Sequence, residues 1–496
     1  MRGENRLGFL TLGSEIRNDI LVPRYYDPRI DARLVQLSRT HELISLETLV
    51  STKQLRHTQG NYINKLYYGT GDVPYIRTSD IANWELKGSP KHGISPSILV
   101  ELREQQNIAP GDILVVHEGT YLIGTPCYLT EYDTRIVIQH HLAHLKVLPG
   151  ATISAPLLMA ALLAPCVQAQ IRARQFTADV IDSIVGRLPE VLLPLPKRES
   201  ERRRVSQEAE RIFVGRAEGR IRLSQIARGM DAALRNGPGA LEKQVAAGPK
   251  GSHGVVGFLG NKTSAASFTL TSSDVRNDVL IPRYYDPSID YELGRFRARC
   301  DLKSVQELID EGMLELSTGD EVGKLAYGSG DISFIRTSDF GNWELKYDPK
   351  QRIAKDVYDA YASKQSARAG DILLVRDGTY LIGTSVMVTE ADLPLLFSGG
   401  IYRIRCLKPE RLPSSVVLAI LNGEIVQRQI RNKQFTRDVI DTLGHRLREV
   451  ILPIPKSLAE VRWIAETMEG ELAQRGILRA QAEQLGKGLE WTEDAG

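Results

Sequence analysis

The chain has 496 residues, 42% hydrophobic and 25% charged, the make-up of an ordinary folded globular protein, and a net charge of only +2 excludes a globally basic nucleic-acid coat while allowing a local basic face. Four scattered cysteines, Cys127, Cys166, Cys300 and Cys406, form no Cys-x-x-Cys pair, which argues against a zinc ribbon or a disulfide framework and fits a reducing compartment. The longest apolar run, Ala155 to Cys166, is too short to span a bilayer and the N-terminus does not read as a signal peptide, so a cytoplasmic protein with no membrane partner is expected.

The first expected element is a short helix. Asp27 is placed to cap it, Pro28 to occupy its first turn, and Ile30, Leu34 and Leu37 to share one face. Short strands with Gly-rich turns follow: Val73–Arg77, Asp112–His117, Tyr121–Gly124, Cys127–Thr130 and Ile136–Val147, with a tight turn at Gly69–Asp72. A helix from about Ala155 to Arg174 then packs on the sheet, and a Pro-punctuated extended segment runs from Val191 to Lys197. From Arg198 to about Arg235 the pattern is that of a long polar helix with a narrow apolar stripe, Val205, Ala209, Ile212, Ala217, Ile221, Ile226, Met230 and Ala233. Such a stripe wants a partner helix, as in a two-stranded coiled coil. Asn236-Gly-Pro-Gly239 breaks the helix, and the stretch to about Ala266 reads as a flexible connector.

Then the whole pattern returns. Residues 9–220 recur as 268–479 at a constant displacement of 259 positions, as from Ile16 to Val275, with no insertion or deletion. Asp286, Pro287, Ile289, Leu293 and Phe296 repeat the first helix, and Leu458, Val461, Ile464, Met468, Leu472 and Leu478 carry the second long stripe. Each copy is large enough to hold its own core, so this is no solenoid. The expected fold is α+β: two tandem domains with small curved sheets, each followed by a long helix, the two helices forming an antiparallel coiled coil. The expected boundaries are 1–197 and 267–456 for the two domains, 198–235 and 457–496 for the helical spacers, and 236–266 for the linker. Two matched halves in one chain suit a pseudo-two-fold ligand, and duplex DNA is the commonest of these.

Several residues are candidates for DNA contacts, each with a bland alternative. Arg77, Thr78 and Ser79, and Arg336, Thr337 and Ser338, end a strand with side chains suited to guanine and phosphate; the alternative is a capped turn held by Asp80 or Asp339. Asn83 and Asn342 offer an amide for adenine, beside Trp84 and Trp343 that burial tendency assigns to the core. His117-Glu118 becomes Arg376-Asp377 just before Gly-Thr-Tyr, a polar dipeptide that differs between copies on a loop of fixed length, as sequence readout requires; Thr120, Tyr121, Thr379 and Tyr380 lie beside it. Arg174 and Gln175, with Lys433 and Gln434, are candidates for phosphate contacts or for a solvated helix end. A zinc site at Cys127, His140, His141 and His144 is rejected, because the second copy has Val386, Gly399, Gly400 and Arg403 there. Asp112 with Glu118, and Asp371 with Asp377, are acidic pairs without the lysine expected of a nuclease, and neither a Gly-x-x-x-x-Gly-Lys-Ser/Thr loop nor an Asn-Pro-Pro-Tyr motif occurs. No catalysis is expected of the chain itself. The alternatives are a stand-alone metal-dependent restriction endonuclease and a β-module scaffold that binds no DNA.

With these features together, the chain resembles the specificity subunit of type I restriction–modification systems. The resemblance is carried by the Arg-Tyr-Tyr-Asp-Pro segments (Arg24–Pro28, Arg283–Pro287) and the Ile-Arg-Thr-Ser-Asp strand ends. It continues in the Gly-Asp-Ile-Leu strands with their Gly-bounded loops and in the Leu-Pro-Leu-Pro or Leu-Pro-Ile-Pro exit into a charged helix. It covers nearly the whole chain. The family's usual Pro-Pro-Leu-x-Glu-Gln helix start is replaced by Pro-Lys-Arg-Glu-Ser-Glu from Pro196 and Pro-Lys-Ser-Leu-Ala-Glu from Pro455, which leaves the methyltransferase partner open. The resemblance implies a DNA-binding subunit that does no chemistry and needs no cofactor. Its implied partners are double-stranded DNA, adenine DNA methyltransferase subunits and ATP-dependent restriction subunits, with S-adenosylmethionine and ATP belonging to those subunits. The family's two recognition domains usually differ, whereas these are near-duplicates, so a bipartite, near-symmetric target is expected.

Overall fold

The computed structural model describes residues 16, 20–177, 180–246, 268–275, 279–436 and 440–490. The fold is mixed α+β, with small sheets and two long helices, Glu199–Asn236 and Leu458–Glu490. By its internal contacts the chain divides into two units: residues 1–86, 92–217 and 478–496 in the first, and residues 87–91 and 218–477 in the second.

In the first unit Asp27 caps the helix Pro28–Leu37 by accepting from the Arg29 amide at 3.0 Å, and Leu34 and Leu37 turn inward as their spacing predicts. A four-stranded antiparallel sheet runs in the order Leu55–Gln59, Leu142–Val147, Ile113–Val116, Pro126–Tyr128. Beside it, Val73–Ile76 sits between Val137–Ile138, parallel, and Gly93–Ile94, antiparallel. His41–Ser45 and Leu192–Pro196 form a separate antiparallel ladder that ties the front of the module to its exit. The second unit repeats these elements at the same displacement: Leu314–Thr318, Ile401–Cys406, Ile372–Val375 and Ser385–Met387 in one sheet, Gln351–Ile353, Ile332–Ile335 and Leu395–Phe397 in the other.

Several expectations need correction. Tyr121–Gly124 is a turn, not a strand: Gly124 has φ +88°, and its amide donates back to Val116 O at 2.8 Å. The single strand expected over Ile136–Val147 is split by a turn in which Leu142 N donates to Gln139 O at 3.0 Å. The helix expected from Ala155 to Arg174 breaks by 68° into Ala155–Leu163 and Pro165–Arg174. Pro165 has no amide to continue the ladder and pushes Ala164 to an extended ψ of 135°. The expected connector carries a helix over Pro238–Ala246, with Pro238 at its first position; the rest of it, 247–266, lies outside the described residues, as do Asp179 and Asp438. Among the described residues no single helix is long and apolar enough to cross a membrane.

The long helices belong to both cores. All eight stripe residues of the first helix are buried, as are Val461, Ile464, Met468 and Leu478 of the second, whereas Leu458 is exposed. Within the first unit Leu478 Cδ1 lies 3.0 Å from where a Cβ on Gly215 would stand, and Arg211 donates to Gln481 Oε1 at 2.9 Å. Within the second unit Arg222 Nε meets Glu471 Oε2 at 2.8 Å. Each helix also carries, toward its C-terminal end, a carboxylate that caps a core helix. Asp231 Oδ2 accepts from Ile425 N at 2.8 Å, and Glu490 accepts from Cys166 N at the corresponding place in the first unit. An acidic group there stabilises the positive end of the capped helix.

Candidate nucleic-acid interface

At the end of strand Val73–Ile76 the chain turns through Thr78–Asp80, and the turn is held by Asp80, whose Oδ2 accepts from Arg77 N at 3.0 Å. Asp339 does the same for Arg336 N at 2.9 Å. Both aspartates are fully buried, and burial pushes the Asp339 carboxyl above the usual range while Lys346 pulls it down. The aspartate therefore frames the turn through the backbone, and the arginine side chains go elsewhere. Arg77 Nη1 lies 3.1 Å from His92 Nε2, and the Arg336 guanidinium stands 5.9 Å from the centre of the Tyr327 ring. Thr78, Ser79 and Thr337 are half-buried, and Arg336 and Ser338 are exposed, so this turn presents polar side chains to solvent in both copies.

The Asn-Trp turns face inward. Trp84 is 2% exposed, and Asn83 and Trp84 both have positive φ, the geometry of a tight hairpin turn between Ile81–Ala82 and Glu85–Leu86. Asn83 and Asn342 are buried, and Asn342 Oδ1 accepts from Gly88 N at 2.7 Å. Burial thus keeps both amides off the surface, where the expected adenine-reading role would need them. Nothing in the local sequence hints at what the motif does instead. Its glutamate pairs with an arginine of a long helix, Glu85 Oε1 with Arg216 Nη2 at 3.3 Å and Glu344 Oε1 with Arg475 Nη2 at 3.2 Å. Arg216 also lies 5.7 Å over the Trp84 ring. Arg216 and Arg475 are 1% and 2% exposed, so these are buried docking pairs; two arginines on a charged helix carry no mark of that in sequence.

Arg174 and Gln175, and Lys433 and Gln434, are also framework. Arg174 Nε meets Glu190 at 3.4 Å and the guanidinium lies 5.5 Å over Tyr25; Lys433 Nζ meets Glu449 at 2.9 Å and lies 4.3 Å over Tyr284. Gln175 is buried and donates to Thr120 O at 2.7 Å, while Gln434 is buried and its carbonyl accepts from Arg283 Nε at 3.0 Å. The cluster clamps the Arg-Tyr-Tyr segment.

The loop that differs between copies is built on one backbone. Glu118–Gly119 pairs with Asp182–Ser183, and Asp377–Gly378 with Asp441–Thr442. Gly119 and Gly378 have φ of +146° and +150°, which a side chain would strain. On this frame the chemistry diverges. His117 is 1% exposed, and burial pushes its imidazole down to about 4. Glu118 is half-buried and meets His141 Nε2 at 3.1 Å. In the second copy Arg376 and Asp377 are half-buried and paired at 2.7 Å, and the hydrogen bond to Asp377 holds the guanidinium in its charged form. Thr120, Tyr121 and Thr379 are half-buried alongside; Tyr380 is exposed, with Lys91 Nζ 5.5 Å over its ring.

No group of three or more His, Cys, Asp or Glu able to hold a metal occurs among the described residues. His144 Nε2 instead meets Asp112 Oδ2 at 2.8 Å inside the sheet, and the corresponding Asp371 takes Arg405 through two hydrogen bonds, at 2.7 and 2.8 Å. Lys146 Nζ also meets Asp112 Oδ2 at 3.4 Å, so the acidic candidates Asp112 and Asp371 are both buried and paired.

No protein-family model matches the chain, and no curated protein matches it. Among solved structures it is similar to the S subunit of a type I restriction–modification system from M. genitalium, at TM-score 0.32 and 12% identity over 90% of this chain and 94% of that one. It is also similar to the HsdS subunit from Thermoanaerobacter tengcongensis, at TM-score 0.26 and 13% identity over 92% and 94%. A chain from a type I R-M complex solved for its assembly and conformational transition gives TM-score 0.26 and 14% identity over 91% and 95%.

One exposed feature leaves little trace in the sequence. In the turn Lys65–Tyr67 and its counterpart Lys324–Ala326, Leu66 is 84% exposed and Leu325 fully exposed. The one signal is that Lys-Leu survives in both copies next to a Gly-rich turn with no apolar periodicity to require it.

Proposed function

We propose that this chain is the DNA-recognition subunit of a type I restriction–modification complex. The observation that carries the reading is the duplicated module: two copies keep one buried frame while the Gly-bounded loop at His117-Glu118 and Arg376-Asp377 changes its polar chemistry. Residues 1–197 and 267–456 are the two recognition domains, and the helices of 198–235 and 457–496 are spacers. A pairing of those spacers as an antiparallel coiled coil is supported by partners that run in opposite senses, Arg211 with Gln481 and Arg222 with Glu471. Base and phosphate contacts fall to Arg77, Thr78, Ser79, Glu118, Thr120 and Tyr121, and to Arg336, Thr337, Ser338, Arg376, Asp377, Thr379 and Tyr380; His117 shapes the loop from beneath. The target is bipartite and near-symmetric, because the two readers are near-duplicates. The chain positions adenine methyltransferase subunits, and with them ATP-dependent restriction subunits, in the cytoplasm. It contributes no catalytic residue, and S-adenosylmethionine and ATP act on the partners.

Selection from a randomised duplex pool by the full chain, followed by methylome sequencing with the proteins that co-purify, tests this. The expected result is salt-dependent enrichment of two related half-sites around an unread spacer. Two unrelated half-sites would remove the near-symmetry, and no enriched duplex would remove DNA recognition. Plasmid cleavage by the purified chain with magnesium alone would favour the stand-alone endonuclease.

A further inference from the structure

The exposed turn Lys65–Tyr67 is anchored beside the strand-end arginine. Gly69 N donates to Gly93 O at 2.7 Å, and Tyr68, the residue that closes the turn, stacks its ring on His92 at 4.3 Å. The same His92 is the one that Arg77 Nη1 approaches at 3.1 Å. In the second copy Gly328 N donates to Arg352 O at 2.7 Å, and Tyr327 lies directly under Arg336 at 5.9 Å. Each module thus carries a lysine and an outward leucine on a turn whose following tyrosine reaches the strand-end arginine, directly in the second copy and through His92 in the first. The cations favour an anionic partner over an apolar protein groove. An apolar side chain held out between cations has few uses in water, but it matches the wedge by which DNA-binding proteins unstack a base step while basic neighbours hold the backbone.

We propose that Leu66 and Leu325 are such wedges, each entering one base step of its half-site while Lys65 and Lys324 take the flanking phosphates. The inference rests on the DNA-recognition reading and adds a prediction of its own: each bound half-site contains an unstacked step. Its position is set by the step's deformability, so flexible pyrimidine–purine steps are preferred there.

The test uses the full chain and the duplex it selects from the randomised pool. Permanganate reactivity of thymines and the fluorescence of 2-aminopurine placed along each half-site report unstacking. The wild-type chain is expected to open one step per half-site. Leu66→Ala with Leu325→Ala abolishes that signal and weakens binding by about tenfold or more, whereas Leu66→Met with Leu325→Met retains it. Lys65→Ala with Lys324→Ala keeps the unstacking signal but lowers the salt slope by about one per lysine. All the leucines concerned are exposed, so the variants are expected to fold. A wild-type complex with no reactive step overturns the proposal, as does undiminished binding by the alanine variant; in both cases DNA recognition stands. Normal DNA binding with loss of a co-purifying protein assigns the leucines to a protein interface instead and overturns the wedge. If the wild-type chain selects no duplex, the functional reading fails first and the wedge with it.

Discussion

The two modules share a frame down to single atoms yet differ in the charges laid upon it. Glu85 and Arg216 in the first unit are matched by Glu344 and Arg475 in the second, and Glu490 capping Cys166 by Asp231 capping Ile425. By contrast, the histidine that meets Asp112, His144, is replaced at the matching position by Arg403, which pairs with Glu315 instead, and a buried His117 stands where the half-buried Arg376 pairs with its neighbour. What is repeated is the set of contacts that hold each module to its helices. What changes is polar chemistry that the backbone does not need. A duplicated frame can therefore keep its geometry while its two loops come to offer different groups to a ligand.

The most severe way to break the frame is to remove one member of a buried ion pair. Glu85→Ala removes the carboxylate that meets the buried Arg216 guanidinium at 3.3 Å, and losing one partner of a buried pair costs about 3–5 kcal/mol. Glu344→Ala does the same to Arg475. Hydrogen exchange should show lost protection concentrated in the first unit for Glu85→Ala and in the second for Glu344→Ala, with similar magnitude. Loss confined to one variant would mean that the copies no longer use the pair alike.

A smaller effect sharpens the comparison where the copies disagree. A Cβ on Gly486 would stand well inside van der Waals contact with Leu163 O, a backbone atom that cannot swing aside, whereas the corresponding residue of the second unit is already an alanine, Ala227. Gly486→Ala is expected to cost about 2–3 kcal/mol through overpacking. Ala227→Gly should cost only the roughly 1 kcal/mol of a helical glycine. Thermal unfolding of the two variants checks the ranking, and equal shifts would contradict it.

The fold was legible wherever a pattern is local. Asp27-Pro28 announces the first helix, the proline-punctuated segment at Val191 announces a strand, and the stripe from Val205 to Ala233 announces a buried helix face. It was illegible where tertiary contacts decide. The strand His41–Ser45 lacks clean alternation and owes its pairing to a segment some 150 residues away, at Leu192–Pro196. The site shows the same division. The copy-to-copy change at residue 117 marked the variable loop, but Asn83 looked available to a base because nothing local reveals that Glu85, two residues on, is pulled inward by Arg216. Leu66 leaves no periodic trace in the sequence, because a single exposed leucine belongs to no apolar face.

Acid separates the copies by sign. In the first unit burial holds His41, His57, His117 and His141 below the ordinary imidazole value, His117 down to about 4. A buried neutral histidine binds no proton where its unfolded counterpart, near 6.5, already does, so its contribution is whole above pH 6.5 and shrinks as pH falls toward 4. For His117 the loss by pH 4 is on the order of 3 kcal/mol. In the second unit burial raises Asp231 to about 6 and raises Asp339 as well. Those carboxyls take up protons in the folded state before they would in the unfolded one, so between pH 7 and the unfolded value near 3.8 acid stabilises rather than weakens. Hydrogen exchange at pH 7 and pH 5, corrected for intrinsic rates, should show protection falling in the first unit and holding or rising in the second. His117→Leu should remove its share of the acid sensitivity of the first unit and leave the second unchanged. If protection fell equally in both units, buried histidine would not be what sets the copies apart, and the difference at residue 117 would have to be explained by the ligand alone.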